Sequence, residues 1–226
     1  MYWKLFTVIV LLITMFGCST KSAEEQIHQQ LTKAMELEEA FKQQQPKITK
    51  LETEEQEIYS QIIAHDMEDE EKLQELVEQA IASIDERAEE VEVEKESIEA
   101  SKKEFSKIED LLLQIEDKET RETAKEMYER MNDRYDAYDD LYTVCQKTLQ
   151  LEKELYTMIV EKTPQQELTE HIQKINENYE LVLDANEQFN TYTLEYNDLK
   201  DEFYDTANLE QSPINKEAQS LNEYVW

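Results

Sequence analysis

Aromatic, amide and acidic side chains are concentrated in two stretches of the chain, and these residue types are suited to ligand binding. The first stretch holds Tyr135, Asp136, Tyr138, Asp139, Asp140 and Tyr142, and the second holds Asn186, Phe189, Asn190, Tyr192 and Tyr196. Aromatic faces flanked by carboxylates and amides suit polar sugars, so a ligand groove is one interpretation. Tyrosines at helical core spacing also form ordinary packed cores, and this second interpretation is the stronger one.

Metal chemistry and catalysis have weaker support. His28, His65 and His171 lie far apart in the sequence, and only Glu25 with His28 forms an E-x-x-H pair. A di-metal carboxylate bundle needs two such pairs and further glutamates. No nucleophile has a convincing base beside it, and the many carboxylates select no acid pair. We therefore expect no metal, no cofactor and no enzymatic activity.

The scarcity of glycine sets the fold class. The chain has one glycine, Gly17, and none follows it. Phosphate-binding loops, dinucleotide-binding turns and EF-hand loops all need glycine for a positive φ or for close backbone approach. Tight hairpins also favour glycine, whereas the abundant Glu, Lys, Gln, Leu and Ala are good helix formers. The sequence predicts an all-α protein.

Apolar residues recur at helical spacing in four segments, which cover residues 27–62, 73–115, 127–159 and 168–203. Ser22 and Glu25 form a capping box before the first segment, and Asp66 is a candidate N-cap for the second. Pro46 interrupts the first segment without changing its register, which predicts a kink near Pro46.

Turn signals separate the later segments. The apolar stripe lapses over residues 116–122, where Thr123 and Glu126 have capping-box spacing; Thr163 and Pro164 mark the next helix start. Four helices of roughly 40 residues would form an elongated up-and-down bundle about 60 Å long. We expect this bundle to span residues 22–208, with a tail over residues 209–226.

The N-terminus has the pattern of an exported, lipid-modified protein. Lys4 precedes an apolar run over residues 5–16, and Gly17 and Cys18 follow it. The run is too short to span a bilayer, and the segment resembles a bacterial lipoprotein signal. We expect cleavage after Gly17, diacylation of Cys18, a short tether over residues 18–21, and location at the outer face of the membrane. Two acyl chains provide stable anchoring.

Charge and cysteine usage limit the partners. The net charge of −31 disfavours nucleic acid, since binding phosphates requires a basic patch. Such a surface keeps a chain soluble and monomeric, or it can meet a basic protein partner. Cys145 is the one cysteine besides Cys18, so the mature domain has no internal disulfide. Its place on an apolar helix face predicts a buried, inert thiol.

Three stretches, ESIEASKKEF (96–105), RYDAYDDLY (134–142) and ANEQFNTYTLEYN (185–197), follow the lipoprotein signal. Together they resemble the YkyA family of lipoproteins along nearly the whole chain. The resemblance implies a Gram-positive surface lipoprotein with an elongated helical bundle, of a family described as cell-wall binding. It carries over no catalytic or ligand residue.

These observations predict a non-enzymatic, wall-associated binding or scaffold module. Peptidoglycan is the expected ligand of an aromatic groove, if the groove exists. An acidic adaptor for a basic surface protein is the alternative, and a hydrolase of wall fragments is a remote one.

Overall fold

The computed structural model describes residues 21–64 and 69–210, in which every regular element is helical and no strand occurs. The elements, in order, are α1 (Ala23–Leu37), α2 (Glu39–Ala64), α3 (Glu70–Phe105), a 3-10 turn (Ser106–Ile108), α4 (Glu109–Leu112), α5 (Lys118–Val160) and α6 (Gln165–Thr206). They form a bundle of four long helices, so the predicted fold class is confirmed. None of the described helices is both long enough and apolar enough to cross a membrane.

The first long helix comprises α1 and α2 and is bent by 28°, as predicted. Its interruption lies at Glu38, whose backbone N–H donates to the Met35 carbonyl at 3.1 Å. Pro46 lies inside α2. The helix therefore tolerates the missing N–H of Pro46, while the break itself occurs nearer the N-terminus.

Polar side chains cap several helix starts. The Ser22 and Glu25 capping box is present, which confirms that prediction. The Asp69 carboxylate accepts from the Lys72 backbone N–H at 3.1 Å and begins α3, whereas Asp66 lies outside the described residues. At α5, the Asp117 carboxylate accepts from the Thr120 N–H at 2.8 Å.

Two predicted start signals were wrong. Helix α5 already begins at Lys118, so Thr123 lies within the helix and does not cap it. An aspartate directly before the helix satisfies the free N–H groups there. Before α6, Pro164 is the last non-helical residue and no side chain caps the helix. Thr163 instead closes the end of α5, where its N–H donates to the Met158 carbonyl at 3.1 Å.

Helices α5 and α6 both end in left-handed turns made without glycine. Lys162 has φ 55° and Asn208 has φ 51°. The Lys162 N–H donates to the Ile159 carbonyl at 3.2 Å, and the Leu209 N–H donates to the Tyr204 carbonyl at 3.0 Å. These bonds are those of Schellman motifs, which usually use glycine at the left-handed position.

The buried apolar residues form two clusters along the bundle. One contains Phe41, Phe105, Tyr138 and Phe189, and the other is built around Ile84 and its neighbours. On α3, the buried charges of Arg87 and Glu94 fall between Ile84 of one cluster and Ile98 of the other. A polar layer therefore separates the two apolar cores.

Helix packing leaves one side of the bundle more open. Helix α6 packs along α5, α2 along α3, and α3 along α5. Among the described residues, α6 has no comparable backbone approach to α1 or α2. We call the space between α6 and the first long helix the seam.

Candidate functional site

The eight aromatic and amide residues predicted to line a groove lie in different environments. Tyr135 and Tyr138 are core residues, with 0% and 2% of their surface exposed. The Tyr138 ring contacts Phe41 and Phe189 edge to face, at centroid distances of 5.8 and 5.7 Å. Burial raises the pKa of both tyrosine hydroxyls. These two tyrosines therefore stabilise the packed core.

Tyr142 and Tyr192 are half-buried and lie near charged groups. The Tyr142 hydroxyl donates to the Glu92 carboxylate at 2.7 Å. The Tyr192 ring lies 5.1 Å from the Arg130 guanidinium carbon. Neither tyrosine lines the cavities of the seam described below.

The remaining four predicted residues come together at the seam. They are Asn186, Phe189, Asn190 and Tyr196, and they line a cavity of about 80 Å³ between α6 and the first long helix. Asn186, Asn190, Thr193, Asn197 and Lys200 follow one another at helical spacing on the α6 wall of this cavity. This half of the predicted set shares a concave site that combines apolar walls with polar side chains.

Two larger cavities continue along the same seam. The second, of about 390 Å³, opens between Glu52 and Gln56 on α2 and Tyr179 and Leu183 on α6. The third, also of about 390 Å³, shares Gln56, Glu152 and Tyr179 with the second. From Glu38 to Ser60 the seam follows the first long helix for about 33 Å. We call these three cavities together the seam groove.

One end of the groove, the cationic end, is lined by three cations and one carboxylate: Lys42, Arg134, Lys200 and Glu38. The Arg134 guanidinium donates to both Glu38 carboxylate oxygens, at 3.0 and 2.9 Å. Ser101 also donates to Glu38, at 2.8 Å. Glu38 is paired with Arg134, and Lys42 lies 3.9 Å from Glu39, which does not line the cavity; among the lining residues, the two lysines therefore leave a positive balance.

Lys200 is an unusually buried cation, with 1% of its surface exposed. Its Nζ donates to the Asn197 side-chain oxygen at 3.0 Å and lies 5.4 Å from the Tyr196 ring centroid. Burial lowers the pKa of Lys200 to about 8, although the charge of Asp201 opposes this effect. An anion beside Nζ would stabilise the charged form.

The other end, the acidic end, has the opposite balance. Glu52, Glu55 and Glu152 surround one cation, Arg87. The Arg87 guanidinium hydrogen-bonds to Glu152 and lies 3.5 Å from Glu52 and 3.8 Å from Glu55. Burial raises the pKa of Glu152 to about 7, since the attraction of Arg87 compensates only in part. Three carboxylates around one guanidinium leave this end negative when all are ionised.

Arg87 also keeps one hydrogen-bond donor free. Only 3% of its surface is exposed, and in the described part of the chain its Nε finds no acceptor. A buried donor without an acceptor is costly, so such groups are uncommon in native structures. Arg87 lines the second cavity with other atoms, while the Nε atom itself is buried.

Cys145 lines the same cavity but is 8% exposed. Burial raises the pKa of its thiol to about 12. The thiol therefore stays protonated near neutral pH, and its predicted buried position is confirmed. The Cys145 thiol is therefore unreactive, because only the thiolate form is nucleophilic.

The histidines have structural partners. The His28 Nδ1 lies 2.8 Å from the Tyr204 hydroxyl, and the His171 Nε2 lies 2.7 Å from the Leu151 carbonyl oxygen. Glu25 is part of the capping box, and His65 is outside the described residues. Over residues 21–64 and 69–210, no group of histidine, cysteine and carboxylate side chains could hold a metal ion.

We did not predict the buried charges at the groove ends from the sequence, although their positions on apolar helix stripes indicate burial. Lys200 lies between Tyr196 and Phe203 on the apolar stripe of α6, and Arg87 lies between Ile84 and Val91 on that of α3. A charge at a core position usually needs a partner from another helix. Gly17 and Cys18, the predicted processing site, lie outside the described residues.

Comparison with known proteins agrees with the resemblance noted in the sequence. The sequence model of the YkyA family, described as "Putative cell-wall binding lipoprotein", matches residues 22–206. A Bacillus subtilis protein named "Uncharacterized lipoprotein YkyA" is 30% identical over 203 residues, which cover 89% of this chain and 90% of that protein. No solved structure matches the chain.

Proposed function

This chain belongs to the YkyA family of lipoproteins, and from that membership we propose that it binds peptidoglycan in the seam groove while anchored to the outer face of the membrane. The seam groove is the observation that supports peptidoglycan binding. It runs beside α6 for about 33 Å and combines apolar walls with convergent amides and charges.

The wall polymer suits this geometry because it is extended and polar. Its repeating sugars and peptides present hydroxyl, amide, amine and carboxylate groups. Asn186, Asn190 and Asn197 place amides along the first cavity, with Phe189 and Tyr196 beside them. Amides can both donate and accept, and aromatic faces can pack against sugar rings. Positioning on rigid helices keeps these groups in place before a ligand arrives.

Anchoring is supported by the sequence and by the family. The predicted lipid-modified Cys18 lies only four positions before Ser22, where the bundle begins. Such a tether spans at most about 15 Å, so one end of the bundle would stay close to the membrane.

The proposed activity is binding of peptidoglycan without cleavage of it. The family description names no reaction. In the described part of the chain, Glu55 and Glu152 are paired with Arg87, Glu38 is paired with Arg134, and the thiol of Cys145 is buried. The arginine–carboxylate pairs compensate buried charge within the groove.

Co-sedimentation tests the proposal. The full-length chain, kept soluble in detergent micelles, is mixed with increasing amounts of purified peptidoglycan from which the anionic polymers have been removed. Saturable binding at physiological salt is expected. Absence of binding, with or without the anionic polymers and divalent cations, would contradict the proposal and favour a basic protein partner for the acidic surface.

A further inference from the structure

The two ends of the seam groove have mirrored charge compositions. The cationic end has three cations and one carboxylate, and the acidic end has three carboxylates and one cation. This pattern is unexpected in a chain whose net charge is −31, since an acidic surface alone would give no cationic cluster. Ligands that match both ends need one negative and one positive group.

The distance between the ends defines the length of such a ligand. Phe41 lines the cationic end and Glu52 lines the acidic end, both on the first long helix. The rise between them along α2 is about 16 Å. An extended peptide covers that distance with about five residues.

The cationic end is suited to a carboxylate. Its cavity of about 80 Å³ has room for a group of that size. Lys200 is buried beside Asn197, and Lys42 is half-buried, 3.9 Å from Glu39. A carboxylate placed between the two lysines would replace the water lost by Lys200 with charge-assisted hydrogen bonds.

The acidic end is suited to an amine. The side chain of Glu52 is 29% exposed. Glu52 lines the second cavity together with Glu152. Glu152 already accepts hydrogen bonds from Arg87 and Tyr179, so Glu52, the more exposed of the two carboxylates, is the one that could accept from an ammonium group.

We infer that the groove binds an extended zwitterionic peptide, with its carboxylate at the cationic end and its amine at the acidic end. This inference rests on the proposed function, because it assigns a ligand class and a direction to the same groove. It narrows the recognised part of the wall to peptide with free charged groups.

Isothermal titration calorimetry tests the inference with the full-length protein in detergent micelles. The probes are pentaalanine with free termini, its C-terminal amide and its N-acetyl form. Free pentaalanine is expected to bind, and each blocked form should bind about tenfold more weakly or worse, since one charge pair is lost. Lys200→Met should remove the penalty of C-terminal amidation, and Glu52→Gln should remove the penalty of N-acetylation.

Matched variants control for charge changes elsewhere. Lys174→Met and Glu177→Gln change exposed residues of α6 that do not line the three groove cavities, so they should preserve both penalties. If Lys200→Met does not fold, as judged by circular dichroism, Lys42→Gln replaces it at the half-buried rim.

Equal affinity for all three peptides would overturn the inference, and so would the absence of peptide binding. If the protein showed either result but still sedimented with peptidoglycan, and groove variants weakened that sedimentation, the proposed function would remain supported. Preference for free termini without any sedimentation would instead contradict the proposed function and support the inference.

Discussion

The carboxylate of Glu38 accepts two hydrogen bonds from the guanidinium of Arg134, at 3.0 and 2.9 Å. Glu38 occupies the break between α1 and α2, and Arg134 lies on α5 with 5% of its surface exposed. The pair therefore joins the interruption of the first long helix to the centre of the bundle. The Arg134 guanidinium also lies 4.7 Å from the Phe189 ring.

Arg134→Met should destabilise the protein by about 3–5 kcal/mol, because it leaves the buried Glu38 charge without its partner. Adding Glu38→Gln should restore much of this loss, since the uncompensated charge is removed. Arg130→Met, one turn earlier on a more exposed surface, should cost about 1 kcal/mol or less. Urea unfolding of the four proteins measures these differences. Equal losses for Arg134→Met and Arg130→Met would contradict a special role for the pair.

Glu94 should make the protein less stable as the pH rises. Burial raises the pKa of its carboxyl to about 8 from 4.5, despite a hydrogen bond from Gln45 and with a further contribution from Glu90. The folded state therefore holds a proton that the unfolded state releases, and stability decreases between these two values. The loss attributable to Glu94 between about pH 5 and about pH 8 is at most about 4 kcal/mol.

Glu94→Gln removes this contribution, because the amide does not titrate. The stability advantage of the variant over the unmodified protein should be small near pH 5 and grow towards pH 8 in chemical unfolding measurements. Glu96→Gln, an exposed change on the same helix, provides the comparison. A constant difference across the pH range would show that Glu94 is ionised in both states.

Lys162→Gly should stabilise the protein relative to Lys162→Ala by about 1 kcal/mol, since a left-handed residue with a Cβ is strained. Both variants lose the exposed contact of Lys162 with Glu70, so their comparison isolates the backbone effect. Thermal unfolding provides the readout. A more stable alanine variant would exclude strain at this turn.

Cys18→Ala should move the protein from the membrane fraction to the soluble or secreted fraction of its host. The predicted lipid chains on Cys18 provide the anchoring energy. Fractionation followed by immunoblotting measures the change, with Cys145→Ala as the control. Membrane retention of the Cys18 variant would disprove the anchor.

Helix period and composition were enough to predict the bundle. A chain without glycine after Gly17 has few ways to turn sharply, and its apolar residues follow a helical period in four segments. Helix starts were harder to predict, because several nearby residues can cap. Asp117 begins α5 in the structure, although Thr123 also has the spacing of a capping box.

The groove could be predicted only in part. Asn186, Phe189, Asn190 and Tyr196 line it, whereas Tyr135 and Tyr138 face the core, because the rotation of each helix about its own axis depends on all its neighbours. The pairing of Glu38 with Arg134 joins residues 96 positions apart. Spacing within one helix carries no information about such a register between helices.

Peptidoglycan binding by groove variants tests the central claim most directly. Gln56 is exposed and lines two of the groove cavities, while Gln61 is an exposed glutamine of the same helix that lines a surface hollow beside α3. Tryptophan at position 56 should obstruct the groove without disturbing the core. We expect Gln56→Trp to weaken saturable sedimentation with stripped peptidoglycan about tenfold or more, and Gln61→Trp to bind like the unmodified protein. Equal binding by the two variants would contradict the claim that the seam groove holds the wall polymer.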